Sequence, residues 1–231
     1  MIFADDYIVF VPNYAKVQKH SHSMMHLFLS QEPIELTTNK KHVATMFALD
    51  SFIPHSVEAV PLKTLLFLID PTSLLGEVFA QKFLAEDIYC ASLPDKLNFF
   101  LRQALRGNLS EIFPDFWTSL GLNLEVKKSR DKRIETVISG IKDRSLLFAS
   151  IPELAQSVFL SESRLTHLFK ETTGMTLKNY LLMNQMALAF QLVQNNMSIT
   201  EAAHSAGFYD AAHLANLVRK TTGISLSEVF R

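Results

Sequence analysis

The segment LTHLFKETTGMTL, at residues 165–177, returns as LANLVRKTTGISL at residues 214–226, and this repeat decides the fold of the second half of the chain. Leucines recur at helical spacing in both copies, and each copy reaches a glycine, Gly174 or Gly223, of the kind that ends helices. The two copies lie 49 residues apart. The same helix, with the same end, is therefore predicted twice.

Each copy is preceded by a shorter amphipathic stretch, at residues 151–156 and 199–204. A brief turn follows and ends in a residue that caps helices well, Ser161 in the first case and Asp210 in the second. A helix, a turn and a capped helix form the order of a helix-turn-helix unit. The same geometry also packs small helical domains that bind no DNA. Two copies joined by a helix favour DNA binding, because the joining helix would hold two reading helices at a set separation.

The side of each predicted helix that faces away from the core decides what it can bind. If the repeated leucines point inward, helical geometry turns a polar face outward, where side chains reach base edges and phosphates. The predicted DNA-contacting residues are Ser161, Ser163, Thr166, His167 and Lys170 in the first unit and Ala212, Asn216 and Arg219 in the second. The second face is smaller and less basic, so the first unit is expected to dominate. Reading helices near 161–172 and 210–221 are expected to enter adjacent major grooves, about 34 Å apart.

The residues from about Arg133 to Arg231 resemble the signature of AraC/XylS transcription regulators. The matching positions are Leu154, Ala155, Ser161, Leu165, Leu168, Phe169, Lys170, Gly174, Tyr180, Leu181, Ala189, Leu192, Ile199, Ala203, Gly207, Phe208, Asp210, Gly223 and Arg231. The resemblance implies a DNA-binding domain of seven helices with two helix-turn-helix units, in a sequence-specific regulator of transcription. It implies promoter DNA as a partner, and RNA polymerase as a further partner if the regulator is an activator.

The second unit departs from the family pattern more than the first unit does. Its main departures are Ala212, Leu214, Asn216 and Val218. Alanine and asparagine stand there where the family usually has a hydroxyl group and often has arginine, which implies weaker DNA binding. The alternative function is therefore a metal- or small-molecule-binding interaction protein whose helical half has weakened DNA affinity.

The first part of the chain follows a different pattern. Short runs of β-branched and aromatic residues, such as 7–11, are separated by turn residues, which predicts a small β-sandwich or barrel followed by helices. The predicted fold class is α+β. The predicted divisions are a first domain at 1–125, with its β unit at 1–70 and helices at 74–125, a linker at 126–132 and an all-α DNA-binding domain at 133–231. Family members commonly carry an amino-terminal barrel of the cupin type, so the resemblance implies a cupin-like domain that senses an effector or forms a homodimer.

Four histidines in the first part form a candidate metal site. Alternation along an extended strand would point His20, His22 and His26 to one face, where His55 could join them. Imidazole nitrogens bind zinc, and four of them would close a tetrahedral site. Cupins often use a His-x-His and a later histidine in this way, but histidines at strand ends are also often simply solvated. The effector is thus left as an unknown small molecule or a divalent metal such as zinc, and no catalytic group is indicated, so no enzymatic activity is expected.

Composition sets the remaining limits on function. The 231 residues are 48% hydrophobic and 19% charged, with a net charge of −1, so the chain as a whole lacks a basic signature. From Arg130 onward, however, eleven Lys and Arg stand against nine Asp and Glu. No apolar run reaches the ~18 residues of a membrane span, and the start of the chain lacks the pattern of a secretory signal. With Cys90 as its one cysteine, the chain is expected to act in the cytoplasm, without a membrane partner.

Overall fold

The computed structural model describes residues 1–12, 16–107, 113–125 and 130–230, which form two compact units. The first unit comprises Met1–Lys127 together with Ala215–Arg231, and the second unit comprises Lys128–Leu214. The linker predicted at 126–132 lies largely outside the described residues, and so does Arg231. The domain boundaries drawn from the sequence therefore stay predictions.

The first unit is built on one antiparallel sheet. Its strands in the described residues are β1 (Ile2–Phe3), β2 (Tyr7–Phe10), β3 (Val17–His20), β4 (Met25–Thr37), β5 (Lys41–Leu49), β6 (His55–Ala59), β7 (Thr64–Ile69) and β8 (Ile88–Ala91). They pair in the order β1-β2-β7-β4-β5-β8, and β6 pairs with both β3 and β4. Among the described residues this path does not close, which is consistent with a cupin-like sandwich. The predicted α+β class is confirmed.

The long strand β4 takes part in both layers of the sandwich, the layer that contains β7 and the layer that contains β6 and β3. Its residues 25–30 pair with β7, and its residues 35–37 pair with β6. Its register against β5 shifts between Leu29 and Ile34. An irregularity of this kind bends a strand, which lets β4 pass from one layer to the other.

Alternation along β4 creates two separate cores, because successive side chains of a strand point to opposite faces. Leu27 and Leu29 lie in a first core, whereas Phe28 lies in a second core. Val17 of β3 and Val57 of β6 complete the second core from the other layer. Strands β3, β4 and β6 line this second core, and they also carry histidines.

Helices cover the first core on the other face of the sheet. These helices are α1 (Leu74–Phe83), α2 (Asp95–Leu105) and α3 (Phe113–Ser119). Phe79 of α1, Leu101 of α2 and Phe116 of α3 are fully buried in that core. Strand β8 lies between α1 and α2, within the stretch that was expected to be helical, and it pairs with β5.

Seven helices lie between residues 132 and 229 of the described chain, which is the number that the family resemblance implies. They are α4 (Lys132–Lys142), α5 (Ile151–Ser157), α6 (Glu162–Thr173), α7 (Leu177–Gln194), α8 (Ile199–Ser205), α9 (Ala211–Thr222) and α10 (Leu226–Val229). Helix α9 begins in the second compact unit and ends in the first. Among the described residues, no helix combines the length and the apolar character needed to cross a membrane.

Candidate nucleic-acid interface and histidine cluster

The first helix-turn-helix unit consists of α5, its turn and α6. Ser150 starts α5 in a reciprocal cap: its hydroxyl accepts from the Glu153 amide, and the Glu153 carboxylate accepts from the Ser150 amide at 2.7 Å. The turn is closed by the Leu160 amide, which donates to the Ala155 carbonyl at 2.9 Å. Ser161 then caps α6. Such caps satisfy amides that would otherwise be free at a helix start, and the predicted order of helix, turn and capped helix is confirmed.

The second unit repeats this frame with α8 and α9. Ser198 and Glu201 form the same reciprocal cap at the start of α8. The Phe208 amide donates to the Ala203 carbonyl at 2.9 Å, as the corresponding groups do in the first turn. The Asp210 carboxylate accepts a backbone amide at 2.6 Å at the start of α9. The caps and turns predicted for this unit are therefore confirmed as well.

The two turns differ by one residue. The caps Ser150 and Ser198 lie 48 residues apart, whereas the reading helices lie 49 apart, and Tyr209 is the additional residue. One residue after the first helix of each unit has a left-handed backbone conformation. It is Phe159 in the first unit, with φ 56°, and Gly207 in the second, with φ 85°. Phe159 is 96% exposed. The sequence pointed to Gly207 but not to Phe159, because aromatic residues rarely adopt positive φ.

The first reading face consists of the predicted residues Ser161, Ser163, Thr166, His167 and Lys170. Four of them are exposed, and Thr166 is half-buried, with its hydroxyl donating to backbone carbonyls of its own helix at 3.0 Å. On the opposite side of α6, Leu165, Leu168 and Phe169 are buried. The orientation of the helix therefore matches the expectation, and the DNA contacts themselves stay predictions.

The second reading face consists of Ala212, Asn216 and Arg219, which are all exposed on α9. Two further exposed cations, Arg164 on α6 and Lys220 on α9, were missed. Within the described residues, neither cation forms an ion pair, so both are available to phosphates. The signal that would have found them is the lack of an acidic residue three or four positions away in the sequence.

The histidine cluster consists of His20, His22, His26 and His55. One ring nitrogen of each residue lies within 4.8 Å of the others, so the structure brings all four predicted ligands together. The expectation that three of them share one strand is wrong, because His20 ends β3 whereas His26 lies in β4. His55 joins them because β3 and β6 pair with His20 opposite His55.

The rings of the histidine cluster are in close contact. Ring centroids are 4.2 Å apart for His20 and His55, 4.4 Å for His22 and His26, and 4.7 Å for His26 and His55. Burial lowers the pKa of all four imidazoles, to about 4 for His55, and neighbouring imidazoles lower the pKa of His22, His26 and His55 further. The rings are therefore neutral near pH 7, which is the state in which imidazole binds metals.

Comparison with known proteins shows that the helical units are similar to parts of known transcription regulators. Residues 154–231 match the family model described as a helix-turn-helix domain. The chain is 27% identical over 113 residues to the HTH-type transcriptional regulator YijO of Escherichia coli, and 30% identical over 107 residues to the HTH-type transcriptional activator RhaS of Escherichia fergusonii. These matches cover 48% and 46% of this chain, and the chain spans only 40% and 38% of the length of those relatives.

Solved structures of ToxT from Vibrio cholerae share the fold over nearly the whole chain. One of them, bound to (E)-4-(8-methylnaphthalen-1-yl)but-3-enoic acid, has a TM-score of 0.62 at 11% identity and covers 97% of this chain and 98% of that chain. Another, with an unsaturated fatty acid bound, has a TM-score of 0.51 at 11% identity and covers 97% of this chain and 93% of that chain. At this identity the likeness shows the fold, an amino-terminal antiparallel sheet followed by a helical part.

Proposed function

By its carboxy-terminal helix-turn-helix region this chain belongs to the AraC family of transcription regulators, and from that premise we propose that it regulates transcription by sequence-specific binding to promoter DNA. The observation that carries the proposal is the pair of capped helices, α6 and α9, each with an apolar side buried and a polar or cationic side exposed. The family match begins at residue 154 and so includes both helices.

In the proposed complex, α6 reads base edges through the first reading face. Ser163 and His167 can donate and accept hydrogen bonds in the major groove, where base pairs are distinguishable. Lys170 is exposed one turn further along the helix, where it suits a phosphate. The capped start of α6 adds backbone amides and the positive end of the helix dipole, which also favour a phosphate.

Helix α9 is proposed to enter the adjacent major groove with the second reading face. Asparagine can bind adenine through two hydrogen bonds, and alanine can contact the methyl group of thymine, so Asn216 and Ala212 suit A·T pairs. Arg219 suits a guanine edge or a phosphate. Because α9 exposes fewer polar groups than α6, the first unit is proposed to contribute most of the sequence discrimination.

The amino-terminal sandwich is proposed to sense an effector or to join two copies of the chain as a homodimer. The shared fold with ToxT supports a sensing role, since solved ToxT structures hold a butenoic acid derivative and an unsaturated fatty acid. RNA polymerase is the further partner expected if the chain activates transcription. A DNA-reading role in turn supports action in the cytoplasm and no enzymatic activity.

A salt-dependent titration of the purified chain tests this proposal. The target is the DNA upstream of the chain's own gene, and random DNA of equal length is the competitor. Preferential binding to the upstream DNA is expected, and it should weaken steeply as salt rises, because phosphate contacts release counterions. Equal affinity for both DNAs, with zinc present or absent, would contradict sequence-specific reading.

The second candidate function is a metal- or small-molecule-binding interaction protein with weakened DNA affinity. Helix α9 favours this alternative, because Ala211, Ala212 and Ala215 occupy much of its outer side and offer no hydrogen-bonding group. Zinc binding by a chain that binds neither upstream nor random DNA would support this function over the first.

A further inference from the structure

The histidine cluster lies outside both reading faces, and one ring nitrogen of each of its four residues lies within 4.8 Å of the others. The partners around each ring assign the position of its proton. Nδ1 of His20 donates to the Gln18 carbonyl at 2.9 Å, and Nδ1 of His55 donates to the Ile53 carbonyl at 2.8 Å, because a carbonyl can only accept. Nε2 of both rings therefore keeps a free lone pair.

His22 is held in the opposite tautomer. Its Nδ1 accepts from the Met24 amide at 3.1 Å, so its proton lies on Nε2, and this Nε2 donates to Nε2 of His26 at 2.8 Å. His26 consequently carries its own proton on Nδ1, which is buried and has no hydrogen-bond partner within the described residues. A buried polar group left in this way costs stability, so its presence in the cluster calls for a functional explanation.

We propose that the histidine cluster binds one divalent cation of the zinc class through Nε2 of His20, His26 and His55. On binding, the Nε2 proton of His22 leaves Nε2 of His26, whose lone pair then goes to the cation. His22 donates this proton instead to the fourth ligand of the cation, either water or a small anion. This differs from the closed four-histidine site expected from the sequence. Three histidines with a fourth, exchangeable ligand are a common coordination pattern of zinc in proteins.

The distances within the cluster suit this cation. Zinc–nitrogen bonds of about 2.0–2.1 Å in a tetrahedral site place ligand atoms about 3.3 Å apart. One ring nitrogen of each histidine already lies within 4.8 Å of those of the others, so the rings must turn towards the cation to bring their ligand atoms to this spacing. His26 and His55 are only 3% and 2% exposed, which keeps competing water away from the cation.

His20, one of the proposed ligands, packs against the turn that follows α9. Gly223, with φ 71°, belongs to the same compact unit as β3. Its carbonyl accepts from the Gln18 amide at 3.3 Å, and a Cβ built on this glycine would lie 2.8 Å from Nδ1 of His20. Ile224 is buried in the second core together with Val17. A cation that fixes the His20 ring therefore also fixes the surface on which this turn packs.

The cation is accordingly the effector of this regulator, an assignment that rests on the proposed function. Binding of the cation stabilises the packing of the turn at Gly223 on β3. Because that turn ends α9, which carries Asn216 and Arg219, occupation of the site changes the affinity of the second reading face for DNA.

Zinc binding to the full chain, measured by calorimetry and by metal analysis after dialysis, tests the site. One Zn²⁺ per chain is expected, and His20→Ala or His55→Ala should each abolish it. His22→Gln should keep the stoichiometry and lower the affinity roughly 10–100-fold, because His22 only supports the fourth ligand. His42→Ala is the matched control, since His42 lies outside the cluster beside Cys90, at 3.7 Å. A wild-type chain without zinc, or zinc retained by both alanine variants, overturns the site.

Amide hydrogen exchange at residues 223–230 tests the coupling without DNA. Zinc should slow exchange there in the wild-type chain and leave it unchanged in His20→Ala, with circular dichroism as the check on folding. Zinc that binds but leaves exchange unchanged overturns the effector role. A failed DNA titration would contradict the proposed function instead, because neither zinc stoichiometry nor hydrogen exchange uses DNA.

Discussion

Helices α6 and α9 begin and end in the same way, but they expose different chemistry. Both have twelve residues, both start at a capping residue, and both are followed by a left-handed glycine. Helix α6 exposes serine, histidine and cationic side chains, but it also carries Glu162 and Glu171. Helix α9 exposes alanines and carries Arg219 and Lys220 in its last turn, with no acidic residue along its length.

This difference separates two tasks of a protein that reads DNA. Hydrogen-bonding side chains distinguish base pairs, whereas cations attract phosphates whatever the sequence. The Lys and Arg of α6 are balanced by its glutamates, whereas those of α9 are not. The second reading face was expected to be the less basic of the two, but each face has one Lys or Arg, and along its whole helix the second unit is the more basic. We infer that α6 contributes more to specificity and α9 more to general affinity.

The largest expected effect is on DNA binding, where the two helices should respond differently to truncation. His167→Ala should lower affinity for the target roughly tenfold and leave binding to random DNA nearly unchanged, because a base contact is worth about 1–3 kcal/mol. Arg219→Ala should weaken binding to both DNAs alike and reduce the salt slope by about 1. Competition titrations over a range of salt concentrations measure both quantities.

Arg133→Ala is the matched control for these two variants. Arg133 is an exposed arginine outside both reading faces, and it already pairs with Asp131 at 2.7 Å. Its replacement should change neither specificity nor the salt slope. Lost discrimination in Arg219→Ala, together with unchanged discrimination in His167→Ala, would reverse the assignment of tasks to the two helices.

The next effect is on stability and concerns the two turns. Gly207→Ala should lower the free energy of unfolding by about 1–2 kcal/mol, because a left-handed φ strains a residue that has a Cβ. That Cβ would also lie 3.1 Å from Nε2 of Gln185 and 3.3 Å from the Phe148 ring. Phe159→Gly should raise the free energy of unfolding by about 0.5 kcal/mol, since the relieved strain exceeds the entropy cost of a glycine. Urea unfolding followed by helical circular dichroism measures both changes.

Gly174→Ala separates backbone strain from crowding in this comparison. Gly174 has a similar φ of 73°, but a Cβ there would meet nothing within 4 Å. Its replacement should therefore cost less than Gly207→Ala does. A stabilised Gly207→Ala variant, or a destabilised Phe159→Gly variant, would mean that the two turns do not share the left-handed geometry.

The helical units could be predicted closely because their signals are local. Capping residues, leucine spacing and helix-ending glycines all act within a few positions, and the structure has these features where they were expected. The additional residue Tyr209 was not predicted, because aligning the two reading helices alone gives one constant offset and does not compare the lengths of the turns. The left-handed Phe159 has no sequence signature, since its backbone conformation is imposed by the packing of the turn.

The amino-terminal unit could be predicted only in outline because its structure depends on long-range strand pairing. Strand β8 has only four residues and is defined by its pairing with β5. The histidines were identified by residue type, but the pairing of β3 with β6, which brings His55 to His20, leaves no local pattern. The proton positions that single out His22 depend on partners such as the Met24 amide, which only the structure reveals.

The smallest expected effect is on stability at acid pH, and it concerns the reciprocal caps of α5 and α8. Hydrogen bonds from the Ser150 hydroxyl and amide hold the pKa of Glu153 below its ordinary value of 4.5, and Ser198 does the same for Glu201. A lowered pKa adds stability above the pKa of the unfolded chain, and this stability is lost as the pH falls below 4.5. Glu153→Gln and Glu201→Gln should each remove part of this acid sensitivity, because glutamine keeps the cap without titrating.

The two caps should not contribute equally, and this sharpens the comparison of the units. The serine hydroxyls donate to the two carboxylates at nearly equal distances, 2.7 Å for Glu153 and 2.6 Å for Glu201, so the amide bonds make the difference. The Ser150 amide donates to Glu153 at 2.7 Å, whereas the Ser198 amide donates to Glu201 at 3.3 Å. The shorter hydrogen bond favours the ionised carboxylate more strongly, so Glu153→Gln should flatten the pH dependence more than Glu201→Gln does. Urea midpoints measured from neutral pH into the range below 4.5 report this difference. A pH dependence unchanged in both variants would mean that the caps add no acid-sensitive stability, and the frames of the two units would then be equivalent in this respect.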